Sequence, residues 1–170
     1  MELTLRTDSA LDSLRAIIDE VPEMVAGIGT ILTTKQIDKV VAAGAAFGVA
    51  PGLNRRIVEY AQDKGLPFGP GIMTPSDIEQ GLELGCKTLK FFPAESSGGA
   101  KAIKAFGAPI PEARFCPTGG ITVDNAESYL SLPNVMCVGG SWLTPKAMVD
   151  AEDWDGIREL ARQAAERFHH

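Results

Sequence analysis

Histidine is nearly missing from this 170-residue chain: the two present, His169 and His170, close it and read as the remnant of a purification tag. A proton shuttle built on imidazole is thereby excluded, so any general base must be something other than histidine. Cysteine is scarce too. Cys86, Cys116 and Cys137 are odd in number, widely spaced and without a metal-ligand pattern. Cys116 and Cys137 fall in apparent core strands, which predicts buried thiols of a reducing cytosol and no metal. No apolar run is long enough to span a bilayer, so no membrane partner is expected, and no signal peptide is recognised. Basic clusters are absent: sixteen Lys and Arg stand against twenty-two Asp and Glu, net −6, so nucleic acid is not an expected partner. No Pro-, Gly- or Ser-rich linker divides the chain, and 45% hydrophobic residues suffice for one compact domain over 1–170.

What the chain does have is a strand–helix alternation from end to end. Strands are expected at 1–6, 24–29, 46–50, 67–72, 88–92, 114–117 and 135–138. Helices are expected near 9–20, 34–43, 54–64, 76–84, 99–106, 123–130 and 154–168, with a short turn at 146–149. Asp8 or Ser9, Thr33 or Thr34, Asn54 and Ser76 stand where N-caps belong, and Gly44, Gly65 and Gly85 where helices stop. In the last helix Ile157, Leu160, Ala161, Ala164 and Phe168 form a stripe that reads as core packing.

The seven strands fit a doubly wound sheet by count. The polar, small and proline residues gathered at their C-terminal ends favour a (β/α)8 TIM-type barrel, whose active-site residues lie there. Such a barrel has eight strands and about 200 residues or more. The expectation is therefore a barrel lacking its first strand and helix, with open edges on its first and last strands.

Chemistry centres on Thr88-Leu-Lys-Phe-Phe-Pro-Ala-Glu95. Lys90 and Phe92 share one face of this strand, Leu89 and Phe91 the other, and apolar residues on both sides predict burial of both faces. An ammonium there is costly unless it is paired or gives up its proton. A neutral amine is what nucleophilic attack on a carbonyl requires, although a lysine at a strand end also reaches water along its own stem. Glu2, Thr4 and Arg6 alternate on one face of the first strand. They are either an exposed salt pair or a proton-transfer carboxylate beside a guanidinium fork suited to a substrate carboxylate. Gly119-Gly120 and Gly139-Gly140-Ser141 follow the last two strands, where barrels bind phosphate through backbone N–H groups, or else serve as tight turns. Thr30, Pro51 and Thr118 complete the polar strand ends.

These residues resemble one family closely. Glu2-Leu-Thr-Leu-Arg-Thr7, Gly27-Ile-Gly-Thr30, Pro51-Gly-Leu53, Pro70-Gly71, Leu89-Lys-Phe-Phe-Pro-Ala-Glu95, Arg114-Phe-Cys-Pro-Thr-Gly-Gly120 and Gly139-Gly-Ser-Trp-Leu143 are similar, in order, to the bacterial 2-keto-3-deoxy-6-phosphogluconate aldolases. The resemblance implies a class I aldolase of the Entner–Doudoroff route, a cytoplasmic homotrimer without metal or cofactor. Its substrate would be cleaved to pyruvate and glyceraldehyde 3-phosphate, with 4-hydroxy-2-oxoglutarate as a second substrate. Lys90 then matches the Schiff-base lysine and Glu2 the acid/base. Arg6, Thr30 and Thr118 match the carboxylate pocket, Pro51 and Phe92 its apolar wall. Gly119, Gly120, Gly140 and Ser141 match the phosphate cradle. Ile28 and Ala50 depart from the family pattern, which favours a small residue and a serine there. The contrasting expectation is a silent barrel fragment that binds anions or self-associates. A phosphosugar isomerase would explain the phosphate turns but not Lys90.

Overall fold

The computed structural model describes residues 1–168, so His169 and His170, read above as a tag remnant, lie outside it. The chain divides into two compact units, Met1–Phe92 and the segment from Pro93 on.

In the first unit the elements are β1 (Glu2–Thr4), α1 (Ala10–Glu20), β2 (Gly27–Gly29), α2 (Thr34–Ala42), β3 (Gly48–Val49), α3 (Arg55–Asp63), β4 (Phe68–Gly69), β5 (Gly71–Ile72), α4 (Pro75–Glu83) and β6 (Thr88–Phe91). β1 to β4 pair in sequence order as a parallel sheet, and β5 pairs in parallel with β6. The strand expected at 67–72 is thus two strands. Pro70 has no N–H to donate, so the ladder breaks there: Ala50 N–H still reaches Gly69 O on one side, and Lys90 N–H takes Pro70 O on the other. The first strand also ends early. Leu5 N–H bonds Gly29 O, but Arg6 N–H turns back to Thr4 O, so Arg6 leaves the strand instead of alternating with Glu2 and Thr4.

The core of this unit gathers the apolar faces of α1, α2 and α3 on the sheet: Leu14, Ile28, Ile37, Val40, Ile57 and Ala61 are all buried together. Ile28, the bulky departure, belongs to this core, on the face opposite its two glycine neighbours. Helix punctuation follows the chain. Thr33 and Gln36 form a reciprocal capping box, and Asn54 caps Arg56 N–H. Gly44, Gly65 and Gly85 end α2, α3 and α4 with φ of 83°, 69° and 79°, the left-handed geometry that favours glycine. Two caps differ from expectation: Ser9 stands before α1 but its side chain makes no capping bond, and α4 is capped by Thr74, not Ser76, with Pro75 in the first turn and Asp77 closing the box.

The second unit holds α5 (Gly99–Gly107), β7 (Arg114–Pro117), α6 (Ala126–Leu130), α7 (Lys146–Asp150) and α8 (Trp154–Arg167), with 3₁₀ turns at Glu95–Ser97 and Ser141–Leu143. Ile103, Phe115, Ile121, Ala126 and Tyr129 are among its buried residues, and Asn134, also buried, donates from its amide to Ile103 O. The strand expected at 135–138 does not form continuously. Isolated parallel bridges pair Phe115 with Val135 and Thr118 with Gly139. Met136 N–H reaches Phe115 O and Gly139 N–H reaches Pro117 O, a spacing of three residues where a ladder needs two. Pro117 supplies no donor between them, and the register slips. Cys137 is consequently exposed and Cys116 only half-buried, not core thiols, with their sulfurs 3.4 Å apart; Cys86 is buried as expected.

α8 also departs from expectation. None of its residues is buried, and Ala161 is exposed. The helix packs mainly on α7 and the Ser141–Leu143 turn, and its stripe is half-covered. Asp153 caps it through Gly156 N–H, and Arg162 ties Glu159 to Glu166 along its outer face.

Candidate active site

Lys90 is the third residue of the four in β6, whose alternation puts Leu89 and Phe91 wholly inside. The other face is not buried as expected: Lys90 is partly covered and Phe92 is 37% exposed. The ammonium is paired. Lys90 Nζ donates to Glu2 Oε1 at 2.8 Å, and both side chains are largely shielded, at 12% and 24% exposure. It also lies 5.8 Å from the Phe92 ring centroid, within cation–π range. The cost of enclosing a charge on this strand is thus met by a carboxylate eighty-eight positions away in the chain.

The sheet register explains how Glu2 gets there. Thr4 stands opposite Gly29 and Glu2 opposite Gly27. A Cβ on Gly29 would lie 1.8 Å from Glu2 Oε1, so the carboxylate occupies the space above a bare backbone. Gly71 plays a similar part beside Pro51: a Cβ there would fall 2.2 Å from the Pro51 carbonyl. Neither glycine's role was anticipated. Glycine inside a strand signals close approach of another group, but the approaching group is not readable from the strand itself.

Thr30 follows β2 with φ of 67°. A β-branched residue in the left-handed region costs on the order of 1–3 kcal/mol, and such strain concentrates at functional sites. Pro51 is half-buried just after β3. Arg6 and Thr4 are exposed, and Arg6 makes no ion pair or side-chain hydrogen bond among the described residues. The first unit therefore brings Glu2, Lys90 and Phe92 together and leaves the Arg6 guanidinium unengaged.

In the second unit the Thr118–Gly139 bridge sets the two glycine turns side by side. Gly139 is pressed against Thr118, whose Cγ2 is 2.5 Å from the position of an added Cβ. Thr118 Oγ1 is buried with no hydrogen-bond partner among the described residues. Such a hydroxyl costs about 1–3 kcal/mol and is what a ligand oxygen would satisfy. Gly119 and Gly120 both have positive φ, 95° and 80°. Their N–H groups make no backbone hydrogen bond among the described residues. Gly140 lies under the Trp142 ring, and exposed Ser141 begins the 3₁₀ turn. A separate cavity of about 380 Å³ is lined by Lys104, Gly107, Arg114 and Asn134 and contains none of the anticipated residues. Among the described residues no cluster of three His, Cys, Asp or Glu side chains is arranged to hold a metal. Nor is any described helix long and apolar enough to cross a membrane.

Comparison with known proteins points the same way. Residues 1–160 match the family described as "Aldolase: KDPG and KHG aldolase". The chain is 51% identical to 2-dehydro-3-deoxy-phosphogluconate aldolase of Pseudoalteromonas atlantica, over 96% of this chain and 76% of that one. It is 47% identical to KHG/KDPG aldolase of Escherichia coli, over 98% and 78%. Among solved structures, KDPG aldolase from Legionella pneumophila, with pyruvate captured as a covalent carbinolamine, superposes with a TM-score of 0.90 at 43% identity, over 94% of this chain and 77% of that one. The fold class is accordingly α/β of the (β/α)8 TIM-barrel type.

Proposed function

Because the chain belongs to the KDPG and KHG aldolase family, we infer that it is a class I aldolase, a lyase cleaving 2-keto-3-deoxy-6-phosphogluconate to pyruvate and glyceraldehyde 3-phosphate. The observation that carries this reading is the Lys90–Glu2 pair. An amine can attack a keto carbon only after losing its proton, and a carboxylate at 2.8 Å is the acceptor for that proton. Attack by Nζ gives a carbinolamine, and loss of water gives a protonated Schiff base. That iminium is the electron sink: the bond β to it breaks, the electrons settle in an enamine, and the aldehyde leaves. Glu2 then serves as the acid/base that carries protons through bound water. The sink is covalent, so the proposed reaction calls for no cofactor or metal.

Roles for the remaining residues are those that the resemblance to the aldolases implies. Thr118 offers a buried hydroxyl and Thr30 a strained strand-end hydroxyl for the keto-acid carboxylate, with Arg6 as its cation. Phe92 and Pro51 wall the pyruvyl group. Gly119, Gly120, Gly140 and Ser141 take the phosphate on backbone N–H groups, a mode that needs no basic side chain. The name of the Escherichia coli relative supports 4-hydroxy-2-oxoglutarate as a second substrate. The protein is proposed to act in the cytoplasm.

Borohydride reduction in the presence of pyruvate, followed by peptide mass analysis, tests the reading. A reduced pyruvyl adduct on Lys90 is expected, and Lys90→Ala should lose both adduct and turnover. Folded wild-type protein that yields no adduct, or Lys90→Ala with full activity, would overturn it.

A further inference from the structure

The turn after β7 is held by its carbonyls. Ala94 N–H donates to Thr118 O at 2.8 Å and Glu95 N–H to Gly119 O at 3.1 Å. Asn125 Nδ2 donates to Gly120 O at 3.1 Å, while Asn125 Oδ1 accepts from Thr122 N–H at 2.8 Å. Three successive carbonyls are thus engaged, and the N–H groups of Gly119 and Gly120 are left without a backbone acceptor among the described residues.

Two of those three donors come from Ala94 and Glu95, so the turn is only as well placed as that short segment. Its anchor is the Glu95 side chain. Oε1 accepts a hydrogen bond from the Tyr129 hydroxyl, and Tyr129, on α6, is wholly buried. The same side chain touches the turn directly: Glu95 Cβ and Cγ both lie 2.8 Å from the position of a Cβ on Gly120. Gly99 leaves room for the pair, with Tyr129 Oη at 3.3 Å and Glu95 Oε1 at 3.4 Å from an added Cβ. Burial, and then the bond to Glu95, push the Tyr129 hydroxyl above its ordinary range, so it remains a donor at working pH. A buried hydroxyl requires a partner, and here that requirement links α6, the 3₁₀ turn and the glycine turn.

We propose that Glu95 and Tyr129 are positioning residues of the Gly119–Gly120 turn, setting its backbone amides for a phosphorylated substrate. The proposal rests on the phosphate reading of that turn given above. Neither residue touches the reacting atoms; the Tyr129–Glu95 bond acts through the backbone of Ala94 and Glu95.

The test separates phosphate recognition from pyruvyl chemistry. Tyr129→Phe keeps the ring and removes only the hydroxyl. It should raise KM for 2-keto-3-deoxy-6-phosphogluconate about tenfold, the size expected for one misplaced hydrogen-bonding turn, with kcat within about twofold. The pyruvate concentration that half-saturates borohydride trapping at Lys90 should not move, because pyruvate carries no phosphate. Glu95→Gln retains stem and acceptor and should behave like wild type, whereas Glu95→Ala should match Tyr129→Phe. Equal losses on both readouts, or none on either, would overturn the positioning role. Competitive inhibition by inorganic phosphate, measured on wild type and Gly120→Val, tests the underlying reading. If phosphate does not compete, or competes equally with both proteins, the phosphate reading falls and the proposal with it. If Gly120→Val alone weakens phosphate while Tyr129→Phe does not, only the positioning role falls.

Discussion

Glu2 stands beside Lys90 because Gly29 has no side chain, and that is open to direct trial. In Gly29→Ala the new methyl would sit 1.8 Å from the present place of Glu2 Oε1. The carboxylate is the flexible partner and must move, so the fold should persist while kcat falls about a hundredfold or more, the usual contribution of a placed general base. Near-normal kcat in a correctly melting Gly29→Ala protein would show that the observed Glu2 position is not the working one. Thr118 permits the opposite trade. Thr118→Val removes a buried hydroxyl that has no partner, so thermal stability should hold or rise while KM rises about tenfold. Lost stability with unchanged KM would return Thr118 to the core. Lys90 stood out in the sequence because a charge between Leu89 and Phe91 demands a reason, whereas Glu2 was singled out by its strand and given a role by the resemblance to the aldolases. Gly29 and the Tyr129–Glu95 bond were not legible there, since each depends on a partner strands or helices away. Side-chain type shows a need, and only the fold shows what meets it.

Among the elements, helices were easier to read than strands. Their caps are local: Thr33, Asn54 and the three terminal glycines lie where sequence places them. The misplaced cap of α4 is local as well, since Thr74-Pro75-Ser76-Asp77 contains a full box. Strands depend on partners. Pro70 splits one, and Pro117 with its neighbours reduces another to bridges, through donors missing from a ladder that the hydrophobic pattern does not reveal. The α8 stripe failed similarly, because amphipathicity reports a face without saying what covers it. The α4 box makes a measurable pH prediction. Burial raises the Asp77 pKa, but hydrogen bonds from Met73 N–H, Thr74 N–H and Thr74 Oγ1 outweigh it and hold the carboxyl below its ordinary 3.8. A depressed carboxyl stabilises the folded state fully above that ordinary value, and the contribution is lost as pH falls through the lower folded one. Asp77→Ala should therefore cost about 1 kcal/mol at neutral pH. Its Tm deficit against wild type should shrink progressively in acid below the ordinary value. A deficit that stays constant into acid would mean that the charge contributes nothing.

For the molecule as a whole, charge and exposed surface act against each other in the association of chains. Val25 is 65% exposed, Leu32 56% and Met136 56%, large apolar side chains that favour association. Each chain also carries a net charge of −6, so like chains repel at long range, and that repulsion is screened as ionic strength rises. The resemblance to the aldolases leads to the proposal of a homotrimer. If burial of apolar surface drives it while charge opposes it, sedimentation equilibrium should give the mass of three 18.0 kDa chains, with the trimer fraction growing as salt is raised. Dissociation on adding salt would instead mean that ion pairs hold the chains together. A single 18.0 kDa species at every concentration and ionic strength would exclude the trimer. Pyruvate trapping on that monomer would then decide whether one chain is sufficient for Lys90 to react.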